Sequence, residues 1–350
     1  MKTTNLSTTI DESKLGTLNK FLFQENFQSR LEEIKKIKVT LTANPKIQEV
    51  DITTTDNSKG VLRSLEKIAS YKLDPKFGNE NAKQMVISGY DESKLEFLTL
   101  EGVASFVSHA MVCYANDDIL PITYLSFYFY SRSEQLFANS KYFKTTKDPK
   151  MEENRDYAID RSVLLDEYSI NDSLLLIDGP LIGGNLSSYT VKLVKKLESK
   201  NVTPIFIVKN SDSNLVTDNI GVLKNKYHSD LHWAYTTLKP GHRTSLFLYE
   251  DHYNKENTKV FFYIKPFDRI SPQRIEFHLS TYEKHADVLP TLYDVLYYLF
   301  LLHGDNKNPQ IRPVAIAEKY AREVLGLINP YSFMKSTGIT PTINQTRFGE

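Results

Sequence analysis

The spacing of hydrophobic and polar residues along the chain predicts an α/β protein. Two short runs, Ser173–Ile177 (SLLLI) and Pro204–Val208 (PIFIV), are continuously apolar, which is typical of strands buried on both faces. Between them, Ser187–Lys200 carries apolar residues at helical spacing. A helix between two buried strands predicts a parallel βαβ unit.

The pattern before this unit predicts an antiparallel meander. Gln84–Tyr90 (QMVISGY) indicates a short buried strand, and the next strands are expected at Phe97–Leu100, Phe106–Tyr114 and Tyr124–Tyr130. Helical spacing over Glu152–Tyr168 predicts the helix that joins the meander to the βαβ unit.

The remaining segments extend this core at both ends. Helices are expected at Lys14–Lys38, Val61–Tyr71, Val288–His303 and Pro313–Gly326, with a connection at Leu73–Asn81. Further strands are expected at His232–Leu238, Thr244–Tyr249, Lys259–Lys265 and Arg274–Leu279. The predicted organisation is an N-terminal helical extension (1–83), a mixed α/β core with flanking helices and β-rich insertions (84–328), and a loosely held C-terminal tail (329–350).

Composition narrows the classes of protein that fit. Lys+Arg and Asp+Glu both number 43, which argues against a surface coated in basic residues but permits a local basic groove. The single cysteine, Cys113, excludes an internal disulfide framework and favours a reducing compartment, so we expect a cytoplasmic protein. No apolar run approaches the roughly 20 residues that span a bilayer.

Asp91 and Asp178 are the main candidates for chemistry. Each follows an apolar run directly, which is expected to place the carboxylate at the carboxyl end of a buried strand, where ligands tend to bind. Two such carboxylates on neighbouring strands can share a divalent cation that activates water and stabilises charge on a phosphate. Alternatively, each aspartate is a turn residue or a helix N-cap.

Other residues could complete this site. Asp160, on the helix before Asp178, could add a third carboxylate, and Glu167 faces the same way; a solvated helix face is the alternative. Lys209 ends the next strand and could contact a phosphate, or be an ordinary surface lysine. Arg274 and Glu276 share one face of a strand, either as a structural ion pair or with Glu276 orienting Arg274 towards a phosphate.

Several common catalytic motifs are missing from the sequence. The histidines show no HExxH or HxH spacing, and Cys113 belongs to no CxxC pair, so a zinc site is unsupported. The chain has no phosphate-binding GxxxxGK[ST] loop, no strand-linked GxGxxG and no GxSxG elbow, which argues against nucleotide hydrolysis, dinucleotide binding and acyl transfer.

The order of the short motifs resembles the NurA nucleases, the partners of HerA-type hexameric DNA translocases. The resemblance runs over residues 84–326 and is most specific at LLLIDGPL around Asp178 with IFIVKNS around Lys209. The other matching pieces are ISGYDES, FFYIKP, PQRIEF and RPVAIAEKYA, which contain Asp91, Tyr263, Arg274 with Glu276, and Glu318. Three departures are Glu92, where the family has glycine, Glu318, where it has histidine, and the helix acid Asp160, where the family commonly has glutamate.

The resemblance implies an RNase H-like core and a Mn²⁺- or Mg²⁺-dependent deoxyribonuclease. It implies a homodimer that admits DNA and docks on a HerA-type ATPase in DNA end processing or anti-phage defence. On this hypothesis Asp91, Asp178 and Asp160 bind metal and Glu318 completes the catalytic set. Nucleic acid is then contacted by Lys209, Arg274 and Tyr263, and Glu276 supports them.

Two other interpretations stay open at this point. The Glu318 substitution could leave a silent NurA-like subunit that binds DNA and regulates the motor. The 21 tyrosines and 19 phenylalanines could also include residues that stack on RNA bases, although no RNP-type motif is present.

Overall fold

The computed structural model describes residues 27–39, 50–115, 118–136, 140–303, 310–340 and 342. The chain divides into two compact units, 1–44 and 45–350. In the first, the described structure is a helix, α1, over Phe27–Lys36, which confirms the C-terminal part of the predicted helix; residues 14–26 of that prediction lie outside the described residues. All the other described helices and strands belong to the second unit.

A five-strand arrangement forms the centre of the sheet. It is built from β4 (Ile87–Leu98), β5 (Val103–Ala115), β6 (Asp118–Ser131), β8 (Leu174–Asp178) and β9 (Thr203–Val208). The first three form an antiparallel meander as predicted, but the separate strand expected at Phe97–Leu100 is wrong, because Phe97 and Leu98 are the end of β4. The strand β8 pairs parallel to both β4 and β9. The spatial order β6-β5-β4-β8-β9 is the RNase H-like arrangement, and the α/β fold class is confirmed.

A second, antiparallel set of strands continues the same sheet beyond β9. Its members are β13 (Gln273–His278), β12 (Thr258–Lys265), β11 (Phe247–Asp251), β2 (Gly60–Ser64) and β1 (Thr54–Asp56), in that spatial order. Two short strands, β10 (His242–Thr244) and β3 (Ser70–Lys72), pair beside β12, and β7 (Phe143–Thr145) pairs with the end of β6.

Helices cover both faces of the sheet. They are α2 (Pro75–Ala82), α3 (Pro149–Tyr168), α4 (Ser187–Ser199), α5 (Leu215–Asn219), α6 (Asp230–Thr237), α7 (Leu279–Lys284), α8 (Leu289–His303), α9 (Arg312–Gly326) and α10 (Pro330–Thr337). Side chains alternate between faces along a strand, so Ile177 packs with residues of α3 and α4 while its neighbour Leu176 packs with residues of α8 and α9. Each face therefore has its own apolar core.

Several local predictions are wrong. Val61–Tyr71 forms parts of β2 and β3 instead of a helix, because its apolar residues pack in the sheet beside β11 and β10. The predicted connection at Leu73–Asn81 contains α2, which begins at Pro75 with Asp74 as its N-cap. His232–Leu238 is largely the helix α6, capped by the Ser229 hydroxyl.

The C-terminal stretch is also more ordered than expected. Residues 330–337 form α10, whose Met334 is fully buried against strands of the meander. The prediction of a helical extension over residues 1–83 is also wrong in part, because β1, β2 and β3 belong to the main sheet. Residues 341 and 343–350 lie outside the described part of the chain.

Candidate active site

The parallel strands β4, β8 and β9 bring three predicted site residues to one edge of the sheet. Pairing of β4 with β8 ends at Tyr90 and Ile177, so Asp91 and Asp178 are the next residues on each strand. Lys209 directly follows β9. Because Tyr90 and Ile177 pack against the α3 and α4 face, their neighbours Asp91 and Asp178 point to the face covered by α9.

The expectation that Asp91 ends its strand is wrong in one respect. The strand β4 continues to Leu98, paired with β5, and Asp91 is its fifth residue. What ends at Tyr90 is the parallel pairing with β8, and this still leaves Asp91 at the carboxyl edge of the parallel strands.

The ammonium group of Lys209 lies among three carboxylates. Its Nζ is 3.2 Å from Asp91 Oδ2, 3.1 Å from Asp178 Oδ1 and 3.6 Å from Glu318 Oε2. Glu318 enters from α9, where Gln310 Nε2 donates to it at 2.5 Å and Arg322 forms a second ion pair with it. Lys209 is therefore neither an isolated surface lysine nor free to contact a ligand while these contacts hold.

Burial and crowding of negative charge shift the titration of this cluster. Burial, followed by the charge of Asp178, raises the pKa of Asp91 to about 8, and Asp91 is only 4% exposed. Burial also raises the pKa of Asp178, against the effect of the nearby Lys209. Although burial opposes it, the three carboxylates together raise the pKa of Lys209. The cluster is thus short of positive charge.

The donors in this cluster suit a hard divalent cation. All three acidic groups offer carboxylate oxygens, the ligands that Mg²⁺ and Mn²⁺ prefer. Asp178 Oδ1 is buried without a hydrogen-bond donor, although Lys209 lies within ion-pair distance of it. As the described side chains are placed, however, no three His, Cys, Asp or Glu residues are arranged to hold one ion. Binding would require Lys209 to withdraw from between Asp91 and Asp178.

The NurA domain model matches residues 100–323 of this chain. The chain belongs to the NurA family. The matched region contains Asp178, Lys209 and Glu318, while Asp91 lies just before it. The predicted family resemblance is thereby confirmed.

Solved structures that match this chain include NurA and endonuclease V proteins. The NurA nuclease of Sulfolobus solfataricus is 14% identical over 78% of this chain and 94% of its own, with a TM-score of 0.48. Endonuclease V of Bacillus subtilis is 10% identical, covering 73% of this chain and 85% of its own, with a TM-score of 0.38. A NurA structure with manganese is 11% identical over 55% of this chain and 43% of its own, with a TM-score of 0.19. A search of curated protein sequences found no match.

The helix acid expected from the NurA pattern, Asp160, lies in a different cluster. It is buried on α3, where its Oδ1 accepts a hydrogen bond from the Tyr128 hydroxyl of β6 at 3.2 Å. Burial raises the pKa of Asp160, and the groups that act on it are Ser126, Tyr128, Asp156 and Lys144. The structure therefore does not bring Asp160 to Lys209. Glu167, the alternative on the same helix, is exposed near the end of α3, as the solvated-face alternative predicts.

Tyr263 and Arg274 are buried rather than displayed to a nucleic acid. Tyr263 has no exposed surface, and its hydroxyl donates to Asp230 Oδ2 at 3.3 Å. Arg274 is 5% exposed; its Nη1 donates to Ser211 Oγ at 2.6 Å and its Nε pairs with Glu276 Oε1 at 2.8 Å. Direct DNA contact by either side chain is inconsistent with this placement.

Glu276 instead anchors the loop that carries Asp178. Its Oε2 accepts a hydrogen bond from the Leu181 backbone N–H at 2.8 Å, and its Oε1 accepts one from Lys259 Nζ at 2.5 Å. Although burial opposes it most strongly, the charges of Lys259 and Arg274 hold the pKa of Glu276 below its usual range. Since Arg274 reaches Ser211 just after Lys209, this buried network connects the loops that follow β8 and β9.

Sequence reasoning missed Lys259 and Gln310. Lys259 had a visible signal, because it is a charged residue in the otherwise apolar strand TKVFFYIK, where a buried lysine needs a partner. Gln310 had no such signal, since it precedes α9 and contacts Glu318 only because of the turn into that helix.

In the described residues, no helix is long and apolar enough to cross a membrane.

Proposed function

We propose that this protein is a divalent-metal-dependent deoxyribonuclease that hydrolyses phosphodiester bonds at the cluster formed by Asp91, Asp178, Lys209 and Glu318. The observation that carries the proposal is the convergence of three carboxylates on one lysine at the carboxyl edge of the parallel strands. Membership of the NurA family supports nuclease activity.

Asp91 and Asp178 are the residues that would hold Mn²⁺ or Mg²⁺, with Glu318 as a further oxygen donor. Such an ion supplies two effects when bound: it lowers the pKa of a water molecule and offsets charge on a phosphate. Two carboxylates are a sufficient protein contribution, because Mg²⁺ sites commonly complete their shell with water and substrate phosphate. Lys209, released from the carboxylates, then presents a point charge to a phosphate oxygen.

The finer features of the proposal follow from the family resemblance. They are DNA as substrate, a homodimer, and docking on a HerA-type hexameric ATPase in DNA end processing or anti-phage defence. A silent regulatory subunit is the second candidate. Glu318 favours it, because a carboxylate already paired with Arg322 stands where the family has histidine.

The decisive experiment measures cleavage of linear DNA by the parent, Asp178→Asn and Asp172→Asn. Asp172 is a matched control, since it is exposed, has a φ of 57° that asparagine tolerates, and offers an Oδ1 that asparagine also has. With Mn²⁺ we expect Asp178→Asn to lose on the order of a hundredfold or more in rate, and the control to match the parent. In EDTA, none of the three proteins should cut DNA.

Adding a HerA-type ATPase distinguishes the nuclease from the silent regulatory subunit. Cleavage that appears only when a HerA-type ATPase is added indicates a gated nuclease. If the pure parent cuts no DNA with Mn²⁺, with or without the motor, the nuclease proposal is wrong and the regulatory subunit is favoured. Equal cleavage by Asp178→Asn and the parent would also refute it.

A further inference from the structure

A cavity of about 290 Å³ lies on the opposite face of β4 from the Lys209 cluster. Its walls come from β4, from α3 and α4, and from Asp178 at the end of β8 with the loop that follows from Gly179. Asp178 therefore borders both the cavity and the catalytic cluster. A group bound in the cavity would lie beside the proposed point of hydrolysis.

The cavity contains a buried guanidinium that forms no ion pair with any carboxylate of the described residues. Arg161 of α3 lines it and is only 4% exposed. Its Nη2 donates to Thr190 Oγ1 at 2.7 Å, and its Cζ lies 5.5 Å from the centre of the Tyr157 ring. Its Nε is buried without an acceptor, and in the described part of the chain no carboxylate lies within 4.0 Å of the guanidinium.

A guanidinium stays charged in proteins, and burying an uncompensated charge is costly. Thr190 and Tyr157 orient the Arg161 side chain but carry no negative charge, and Glu92 acts on Arg161 through its charge without forming an ion pair with it. The open Nε–H in a planar, pre-oriented donor fork fits an oxyanion such as phosphate, which guanidinium binds through paired N–H groups. The residue is placed to receive an anion that is not part of this chain.

The carboxylates that line the cavity form no ion pair with Arg161 in the described residues. Glu153 is ion-paired with Lys94 and Lys150, and Asp178 with Lys209. Glu92 is the remaining carboxylate in the wall, and its Oε2 is buried without a hydrogen-bond donor. A ligand that matches both open groups has an anion for Arg161 and hydrogen-bond donors for Glu92, which is the chemistry of a nucleotide.

We propose that this cavity binds one nucleotide of the DNA strand, with a phosphate on Arg161 and a base or sugar donor group towards Glu92. The inference rests on the proposed function, because it takes DNA as the substrate. The phosphate belongs either to a strand end or to the interior of the strand, and its chemistry at Arg161 is the same in both cases.

The test measures binding of fluorescent single-stranded DNA in EDTA, where no cleavage is expected. Three probes are used: a linear oligonucleotide with a 5′-phosphate, the same oligonucleotide with a 5′-hydroxyl, and a closed circle. Arg161→Gln should weaken binding about tenfold or more and reduce the slope of log affinity against log salt by about 0.7, the value for one lost single-strand phosphate contact. Arg155→Gln, an exposed arginine of the same helix, is the control and should bind as the parent does.

The three probes identify the source of the phosphate. An effect of Arg161→Gln confined to the 5′-phosphorylated strand indicates a terminal phosphate, and an equal effect on all three indicates an internal one. Either result supports the cavity. Equal binding of all three probes by a folded Arg161→Gln variant and the parent overturns it, as does failure of the parent to bind any probe.

A second variant covers the case in which Arg161→Gln does not fold. Thr190→Val keeps the shape of the side chain but removes the acceptor that orients Arg161, together with the 3.2 Å hydrogen bond that the Thr190 hydroxyl donates to the Leu186 carbonyl oxygen, and it should weaken binding by about threefold. Unchanged binding by this variant would then count against the cavity. If DNA binding depends on Arg161 but the protein shows no Mn²⁺-dependent cleavage, only the nuclease proposal is refuted. If the protein cleaves DNA but Arg161→Gln does not change DNA binding, only the cavity proposal is refuted.

Discussion

Replacing Asp91 with asparagine should stabilise the metal-free protein at alkaline pH. The folded protein holds a proton on Asp91 up to about pH 8, whereas the pKa of an ordinary aspartate is 3.8. Over this range the unfolded chain has lost a proton that the folded chain keeps, so the free energy of unfolding falls as the pH rises. The stability associated with Asp91 is therefore fully present below about pH 4 and is lost as the pH approaches 8.

The magnitude follows from the size of the shift. One pKa unit corresponds to about 1.4 kcal/mol, so raising the pH from 5 to 8 should cost the parent roughly 4 kcal/mol through Asp91. Asparagine carries no charge at any of these pH values, and its Oδ1 can still accept the 2.7 Å hydrogen bond from the Glu92 N–H. The variant loses the acceptor for the 3.2 Å hydrogen bond from Lys209 Nζ at every pH, but it should escape the pH-dependent loss of stability.

The assay is urea unfolding of the parent, Asp91→Asn and Asp51→Asn in EDTA at pH 5, 6, 7 and 8. Asp51 is an exposed aspartate, so its variant should follow the parent at every pH. We expect the difference between Asp91→Asn and the parent to grow in favour of the variant by about 4 kcal/mol across this range. A constant difference, or one that turns against the variant as the pH rises, would refute the reasoning. Added Mn²⁺ should stabilise the parent more than the variant, because the cation binds the deprotonated carboxylate.

Three further variants test the surrounding contacts. Glu276→Gln should lower the free energy of unfolding by about 3 kcal/mol or more, since Lys259 and Arg274 would stay buried without a counter-charge; urea unfolding measures it, and a loss under 1 kcal/mol would contradict the buried network. Tyr263→Phe should lower the free energy of unfolding by about 1 kcal/mol and leave the cleavage rate near that of the parent. A large loss of DNA affinity in this variant would restore the hypothesis that Tyr263 contacts DNA. Glu318→Gln should raise the Mn²⁺ concentration needed for half-maximal cleavage about tenfold, and an unchanged requirement would exclude Glu318 as a metal donor.

The central strands could be predicted because their signal is local. The runs SLLLI and PIFIV are apolar on both faces, and such continuity occurs where helices cover a parallel sheet from both sides. Placing Asp178 and Lys209 at one edge then needs only the rule that parallel strands end together. These two residues and Asp91 do meet in the structure.

The outer strands could not be predicted in the same way. Val61–Tyr71 has apolar residues at spacings compatible with either a helix or strands, and the choice depends on β11 and β10, which lie far along the chain. The roles of Tyr263 and Arg274 were missed for a related reason. Whether a polar side chain on a strand faces solvent or a buried network is decided by partners such as Asp230 and Ser211, and their spacing in sequence gives no sign of contact.

The alternation of side chains along β4 links the Lys209 cluster to the cavity that contains Arg161. Asp91 and Glu92 are adjacent in β4, so they point to opposite faces: Asp91 meets Lys209, and Glu92 faces the cavity that contains Arg161. A helix or a turn at this point would not separate them in this way. The Glu92 side chain, which stands where the family has glycine, therefore adds an acceptor to the cavity without entering the Lys209 cluster. Because Asp178 borders both sites and Glu276 holds the loop after Asp178 at Leu181, a nucleotide in the cavity would contact the same loop that positions the Asp178 carboxylate.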